Sequence, residues 1–247
     1  MFTTPSKYFI RFSTLTFLFV ILGHITSVIL SNTTPSPIIQ FIDTLFYFGH
    51  EKNITALFSA ALFIILSYYF RAIGSYLNSN QRYWNIISYI AIFLACDEWF
   101  AIHDATLNIY GIGPLDIPIW VWVYGLLSLS LLAYLLPFLR SIPSYLTKSL
   151  LFSGFIFISG SAIMEAVTYS FPPPTSGDTS IFHHIGWFFE DGLEMSGVLT
   201  MIMAAHLWLL RNNVTHLNIK KWPAMLMITI GLGDMCYHLI TNPLNIK

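Results

Sequence analysis

The sequence predicts an all-α polytopic membrane protein with seven transmembrane helices, its N-terminus cytoplasmic and its C-terminus outside. Three observations predict it. Only 9% of the 247 residues are charged while 55% are apolar, and mean hydropathy is +0.67. So few charges could not cover the surface of a soluble domain of this size. Seven stretches are apolar over the roughly 20 residues that a helix needs to cross a hydrocarbon core. Nearly all the basic residues then fall on one side of those stretches.

The same composition excludes a water-soluble enzyme, a nucleic-acid binder and a disordered chain. A net charge of -1 gives no general attraction to polyanions. Two cysteines, Cys96 and Cys236, leave no room for a disulfide framework or a C-x-x-C metal site.

Residues 1–247 read as one transmembrane domain, built from the spans in chain order. The first span runs from Phe12 to Leu30 and ends at Asn32 to Pro37. Lys7 and Arg11 precede it as in a secretory signal, but no A-x-A site follows, so a retained helix is expected. Pro37 to Gly49 (PIIQFIDTLFYFG) is apolar but too short to span, and is expected to lie along the membrane surface. Further spans cover Thr55 to Tyr76, Trp84 to Leu107, Ile117 to Leu139 and Leu146 to Tyr169. Pro114 and Pro118 bracket the turn before the fourth, and Pro172, Pro173 and Pro174 follow the fifth. The sixth runs from His184 to Leu210 and the seventh from Trp222 to Ile240, where Pro223 suits a first helical turn. The sequence carries no tandem or inverted repeat of the kind many transporters use.

Orientation comes from counting. The N-terminus and the second, fourth and sixth loops carry Lys7, Arg11, Arg71, Arg82, Arg140, Lys148, Arg211, Lys220 and Lys221. The other side carries only Lys52 and Lys247. Positively charged loops stay in the cytoplasm, so the first set is inside.

With that orientation all twelve acidic residues lie in the outer half or in outer loops. Asp97 is 13 residues into the third span, ~20 Å along a helix that rises 1.5 Å per residue. It is therefore still within the hydrocarbon layer. An intramembrane carboxylate costs a few kcal/mol, so it is a functional-site candidate by default.

Four spans bring acids to this depth. The third reads Cys96-Asp97-Glu98-Trp99-Phe100-Ala101-Ile102-His103-Asp104. At about 100° per residue, Glu98 and His103 point some 140° apart, so one regular helix cannot aim both at one point. The fifth carries Glu165 after Ser161-Ala162-Ile163-Met164. The sixth reads Glu190-Asp191-Gly192-Leu193-Glu194-Met195-Ser196-Gly197, with Glu190 and Glu194 one turn apart on one face. The seventh reads Gly231-Leu232-Gly233-Asp234-Met235-Cys236-Tyr237-His238, with Asp234 and His238 similarly spaced.

Carboxylates and imidazoles on facing helices are what a bundle uses to hold one or two metal ions. Oxygen and nitrogen donors suit iron, manganese or zinc. The expected metal-binding residues are Glu98, His103, Glu165, Glu190, Glu194, Asp234 and His238. Asp97, Asp191, His24 and His184 are candidates for orienting them. The bundle motif Glu-x-x-His is absent, so other readings stay open. A proton or cation pathway uses the same residue types. Ser161 and Ser196 lie at the depth of a nucleophilic hydrolase site. A structural or sensory protein whose acids respond to external pH is a further class.

Taken together, the three acidic motifs resemble those of uncharacterised bacterial seven-helix inner-membrane proteins. These carry D-E-x4-H-[DE] in the third helix, a lone Glu in the fifth and E-[DE]-x2-E-M-x-G in the sixth. The matching residues are Asp97, Glu98, His103, Asp104, Glu165, Glu190, Asp191, Glu194 and Gly197. The resemblance implies a bacterial inner (cytoplasmic) membrane and brings no activity with it. The run GLGDMCYH in the seventh span is similar to G-x-G-S-x-x-x-H of alkaline ceramidase-like hydrolases, but lacks their paired H-x-x-x-H. The leading expectation is a metal-dependent enzyme acting on a lipid or lipophilic substrate that reaches the site from the bilayer. The alternative is a cation- or proton-coupled transporter or metal carrier. Membrane lipids are the expected partners, with no nucleic acid.

Overall fold

A computed structural model describes residues 2–3, 7–31, 36–48, 50, 52–103, 105, 111–114, 117–170, 181–214 and 216–217. These residues are almost entirely helical. In chain order the helices are α1 (Lys7–Ser31), α2 (Pro37–Phe46), α3 (Ile54–Leu77), α4 (Gln81–Phe100), α5 (Ile119–Ser141), α6 (Ser144–Tyr169) and α7 (Ile181–Arg211). A two-residue antiparallel pairing joins β1 (Phe2–Thr3) to β2 (His216–Leu217).

By length and composition α1, α3, α5, α6 and α7 can cross a membrane. They correspond to the first, second, fourth, fifth and sixth spans of the sequence reading. The third span is α4, which is 20 residues long and less apolar because Asp97 and Glu98 sit near its end. The seventh span, Trp222 to Ile240, lies outside the described residues. Pro37 to Gly49 contains α2, started by Pro37 at the first position and by Ser36, whose hydroxyl accepts from the Ile39 N–H at 3.3 Å.

α3 and α7 form the centre. In each, 61% of the apolar stretch is buried, against 11% in α5. α3 packs on α4 and α7, and α7 also packs on α6. α5 stands further out, held by aromatic contacts such as Tyr83 with Phe138 at 5.2 Å and Phe93 with Tyr124 at 6.3 Å.

Two glycines set the α6–α7 spacing. A Cβ on Gly197 would meet the Phe157 amide nitrogen at 2.7 Å and the Ser153 carbonyl at 2.8 Å. One on Gly160 would meet the Glu190 carbonyl at 2.5 Å. Small residues allow such approach, which is how helices associate where lipid provides no hydrophobic drive.

Two departures from regular helix redirect the side chains beyond them. α6 passes through a π-helical segment, Ser159–Met164, before resuming at Glu165. The wider turn adds a residue and shifts the register of everything after it by about 100°. The second departure corrects the third span, which the sequence carries on to Leu107. α4 stops at Phe100, because Ala101 takes a left-handed conformation with φ 49°.

Candidate functional site: an acidic cavity

Where α3, α4, α5, α6 and α7 meet at one end of the bundle they enclose a cavity of about 1390 Å³. Six acids line it: Asp97, Glu98, Glu165, Glu190, Asp191 and Glu194. His50 and His103 line it too, and its described walls contain no lysine or arginine.

The stop at Ala101 shapes one wall. Its amide caps the helix by donating to the Asp97 carbonyl, and a new helical turn starts beyond it, with the Ala105 amide donating to the Ala101 carbonyl at 3.0 Å. The His103 amide donates to Asp97 Oδ1 at 3.0 Å, and the His103 ring Nδ1 lies 3.3 Å from Asp97 Oδ2. Tyr124 of α5 donates its hydroxyl to the same Oδ1 at 3.3 Å. The break thus lets His103 and Glu98 line the same cavity, which the helical wheel forbids. A non-glycine residue in the left-handed region costs of order 1 kcal/mol, and such residues gather at functional sites.

The glutamates meet in pairs. Glu98 is within hydrogen-bond reach of Glu194, and also of the hydroxyl of Ser59 on α3. Glu165, placed by the π-helical turn, is within reach of Glu190. Asp191 acts on Glu190 and Glu194 through its charge. Two carboxyls in contact cannot both carry full charge in a low-dielectric setting. A proton or a cation must lie between them. Glu190 also keeps one buried side-chain oxygen, Oε2, without a hydrogen-bond partner among the described residues.

Of the expected metal-binding residues, the fold brings Glu98, His103, Glu165, Glu190 and Glu194 to this cavity. Asp234 and His238 lie outside the described residues. Asp97 and Asp191, expected to orient others, are also in the lining. Among the described residues, no three His, Cys, Asp or Glu side chains already stand in the arrangement of a metal site. The carboxyls meet two at a time.

His24 and His184 are not in the lining but in an aromatic cluster that adjoins it through Phe48 and His50. His24 is 2% exposed, stacks on Phe48 at 4.3 Å and accepts the Phe48 amide on Nδ1 at 3.1 Å. His184 Nδ1 shares a 2.6 Å hydrogen bond with the Tyr47 hydroxyl. Asp43 of α2 completes the cluster, bonded to Ser27 and lying 3.4 Å from His50 Nε2. Burial, and then the charge of Asp43, push the Tyr47 phenol above its ordinary range, so it stays a neutral hydroxyl.

Several lining residues carry no signal in the sequence motifs. His50 comes from the segment between α2 and α3, Ser59 from α3, and Trp120 and Tyr124 from α5. None belongs to an acidic motif. Only the one-turn spacing of Trp120 and Tyr124 hints that they share a face.

Neither a curated protein nor a solved structure matches the chain. A protein-family match does exist, and its extent includes every described residue that lines the cavity. Over residues 13–209 the chain matches DUF8692, a domain of unknown function, and it belongs to that family.

Proposed function

We propose that the protein is a metal-dependent enzyme of the bacterial inner membrane, acting on a lipophilic substrate in the acidic cavity. One observation carries this reading. Glutamates from three helices meet in the pairs Glu98–Glu194 and Glu165–Glu190, in a cavity whose described walls hold no lysine or arginine. A divalent ion of iron, manganese or zinc, held by these four with His103, would replace the shared protons. Asp97 would hold His103 through its ring, as outer partners of metal-bound histidines do. Such an ion polarises an oxygen of the substrate or activates water. In this reading the chain spans the membrane seven times, N-terminus inside, with the cavity in the outer half.

The test is elemental analysis of the purified protein, with melting curves for wild type, Glu194→Gln and Glu190→Gln. Bound metal stabilises the folded state by mass action, so both variants should lose metal and melt lower. A metal-free wild type, with variants melting at the same or higher temperature, would overturn the reading. That outcome would leave a protonated carboxyl cluster. Proton flux in reconstituted vesicles, abolished by Glu190→Gln, would then establish a transporter instead.

A further inference from the structure

We infer that the cavity takes a single-chain amphiphile whose head bears hydroxyl groups and no anionic group, with its tail in an apolar slot between α5 and α6. This rests on the reading of the cavity as a site for a lipophilic substrate, and it names the class of that substrate.

The slot comes first. Beyond the carboxyls the cavity continues between α5 and α6, lined by Leu127, Leu131, Leu150, Leu151 and Phe155. Gly125 of α5 and Gly154 of α6 also line it, and a Cβ on either would meet no atom within 4 Å. Gly154 precedes Glu165 by eleven residues, ~16 Å along the helix axis. That is the scale of an extended fatty chain. Leu127 and Phe155 are 60% and 67% exposed, so the slot has an open apolar side. In a bilayer that side faces acyl chains, and a tail enters without crossing water.

The nature of the head is set by charge and hydrogen bonding. Six carboxyls without a lysine or arginine among the described lining repel a phosphate or carboxylate head, and one divalent ion among them does not reverse the sign. Two buried groups at the cavity lack partners. Trp120 is 8% exposed, and among the described residues its indole N–H has no acceptor. Glu190 Oε2 is the second. One calls for an acceptor and the other, when ionised, for a donor. A hydroxyl is both, an ammonium only donates, and an ionised phosphate only accepts. A hydroxyl-bearing head is therefore the one that answers both groups.

The test uses the purified full chain in lipid nanodiscs and three labelled probes of equal chain length. These are a monoalkylglycerol, an alkylamine and an alkyl phosphate. The alkylglycerol should bind, with the other two weaker by about tenfold or more. Gly154→Leu puts a side chain into open slot space. It should weaken alkylglycerol binding by a similar factor, about tenfold, while metal content and melting temperature stay as in wild type. Gly125→Leu on the facing helix provides the same block should Gly154→Leu fold poorly. Trp120→Phe should weaken the alkylglycerol and leave the alkylamine unchanged.

Equal or tighter binding of the amine or phosphate overturns the inference. So does alkylglycerol binding that neither glycine variant weakens. The two readings fail separately. Alkylglycerol bound through the slot by a metal-free protein keeps this inference and removes the metal. A metal-loaded protein that binds no alkylglycerol does the reverse.

Discussion

The two ends of the same helices obey opposite rules. In its first turn α4 carries Trp84, fully buried, edge-on to Phe138 at 5.0 Å and pressed so close to Gly74 that a Cβ there would meet its own at 2.6 Å. About 20 Å further along, the helix ends in Asp97 and Glu98 on an open cavity. α7 runs the other way with the same contrast. Ile202, Ala205 and Leu209 are buried in the core, and Glu190 and Glu194 line the cavity. An indole N–H without a partner occurs at both ends, on Trp84 and on Trp120. Trp120 lines the acidic cavity, and Trp84 does not. The packed end holds the fold, and the acidic end carries polar groups that the described residues do not satisfy. Substitutions should therefore divide into those that unfold the protein and those that empty it.

The all-or-none test of this comparison is which end faces out. Reporter fusions at Asp178 and Asn213 should report opposite sides, with Asp178 external. An external Asn213 would put the acidic end in the cytoplasm and reverse the direction of access. Next in size is Trp84→Ala. Truncating a buried tryptophan leaves a cavity costing about 3–5 kcal/mol, so the melting temperature should fall steeply, with any protein that remains folded still carrying its full metal. Gly160→Val should do the opposite. Its side chain would push against the Glu190 carbonyl and the Glu194 Cγ, 2.5 and 2.9 Å from the new Cβ, at the point where α6 and α7 align their carboxyls. We expect loss of metal with a stability loss of about 1–3 kcal/mol, as for an overpacked site. Elemental analysis beside melting curves reads both. Metal retained in Gly160→Val would show that the Glu165–Glu190 pair is not part of the metal site.

Much of the fold was legible because a membrane leaves few ways to satisfy a backbone. Apolar runs closed by Pro and Asn predicted a helix in each of the first six spans, though the third stops at Phe100 rather than Leu107. The one-turn spacing of Glu190 and Glu194 likewise put both in one cavity. The rest depended on departures from regular helix that local sequence does not announce. Ala101 adopts a left-handed turn where glycine or asparagine would have signalled one, and that turn is what joins His103 to Asp97. The π-helical segment SGSAIM shows nothing but small residues and two long apolar ones, yet it sets the phase of Glu165. For His24 and His184 the sequence offers depth alone. Depth does not separate neighbouring clusters, and Tyr47 and Phe48 hold both histidines near Asp43 rather than in the cavity lining.

The smallest predicted effect lies in that second cluster, at Asp43, which is itself not in the cavity lining. Asp43 is partly buried, which by itself raises a carboxyl. Hydrogen bonds from His50 and Ser27, and then the charges of His50 and His184, outweigh burial and hold it below its ordinary value. A carboxyl whose folded value lies below its unfolded one, about 4, stabilises the protein above that pH. The contribution is lost as pH falls through the folded value. Asp43→Asn should therefore melt a little lower than wild type near neutral pH. The gap should narrow as pH drops below about 4, where the wild-type carboxyl becomes neutral like the amide. Metal content should not change, because Asp43 is not among the residues lining the acidic cavity. Melting curves of both proteins between about pH 3 and 7 measure it, with elemental analysis at neutral pH. A gap that stays constant with pH would mean that Asp43 acts by shape and hydrogen bonding alone. Loss of metal in Asp43→Asn would mean that the two clusters work as one site, and that the histidines of the outer cluster belong to the chemistry of the cavity.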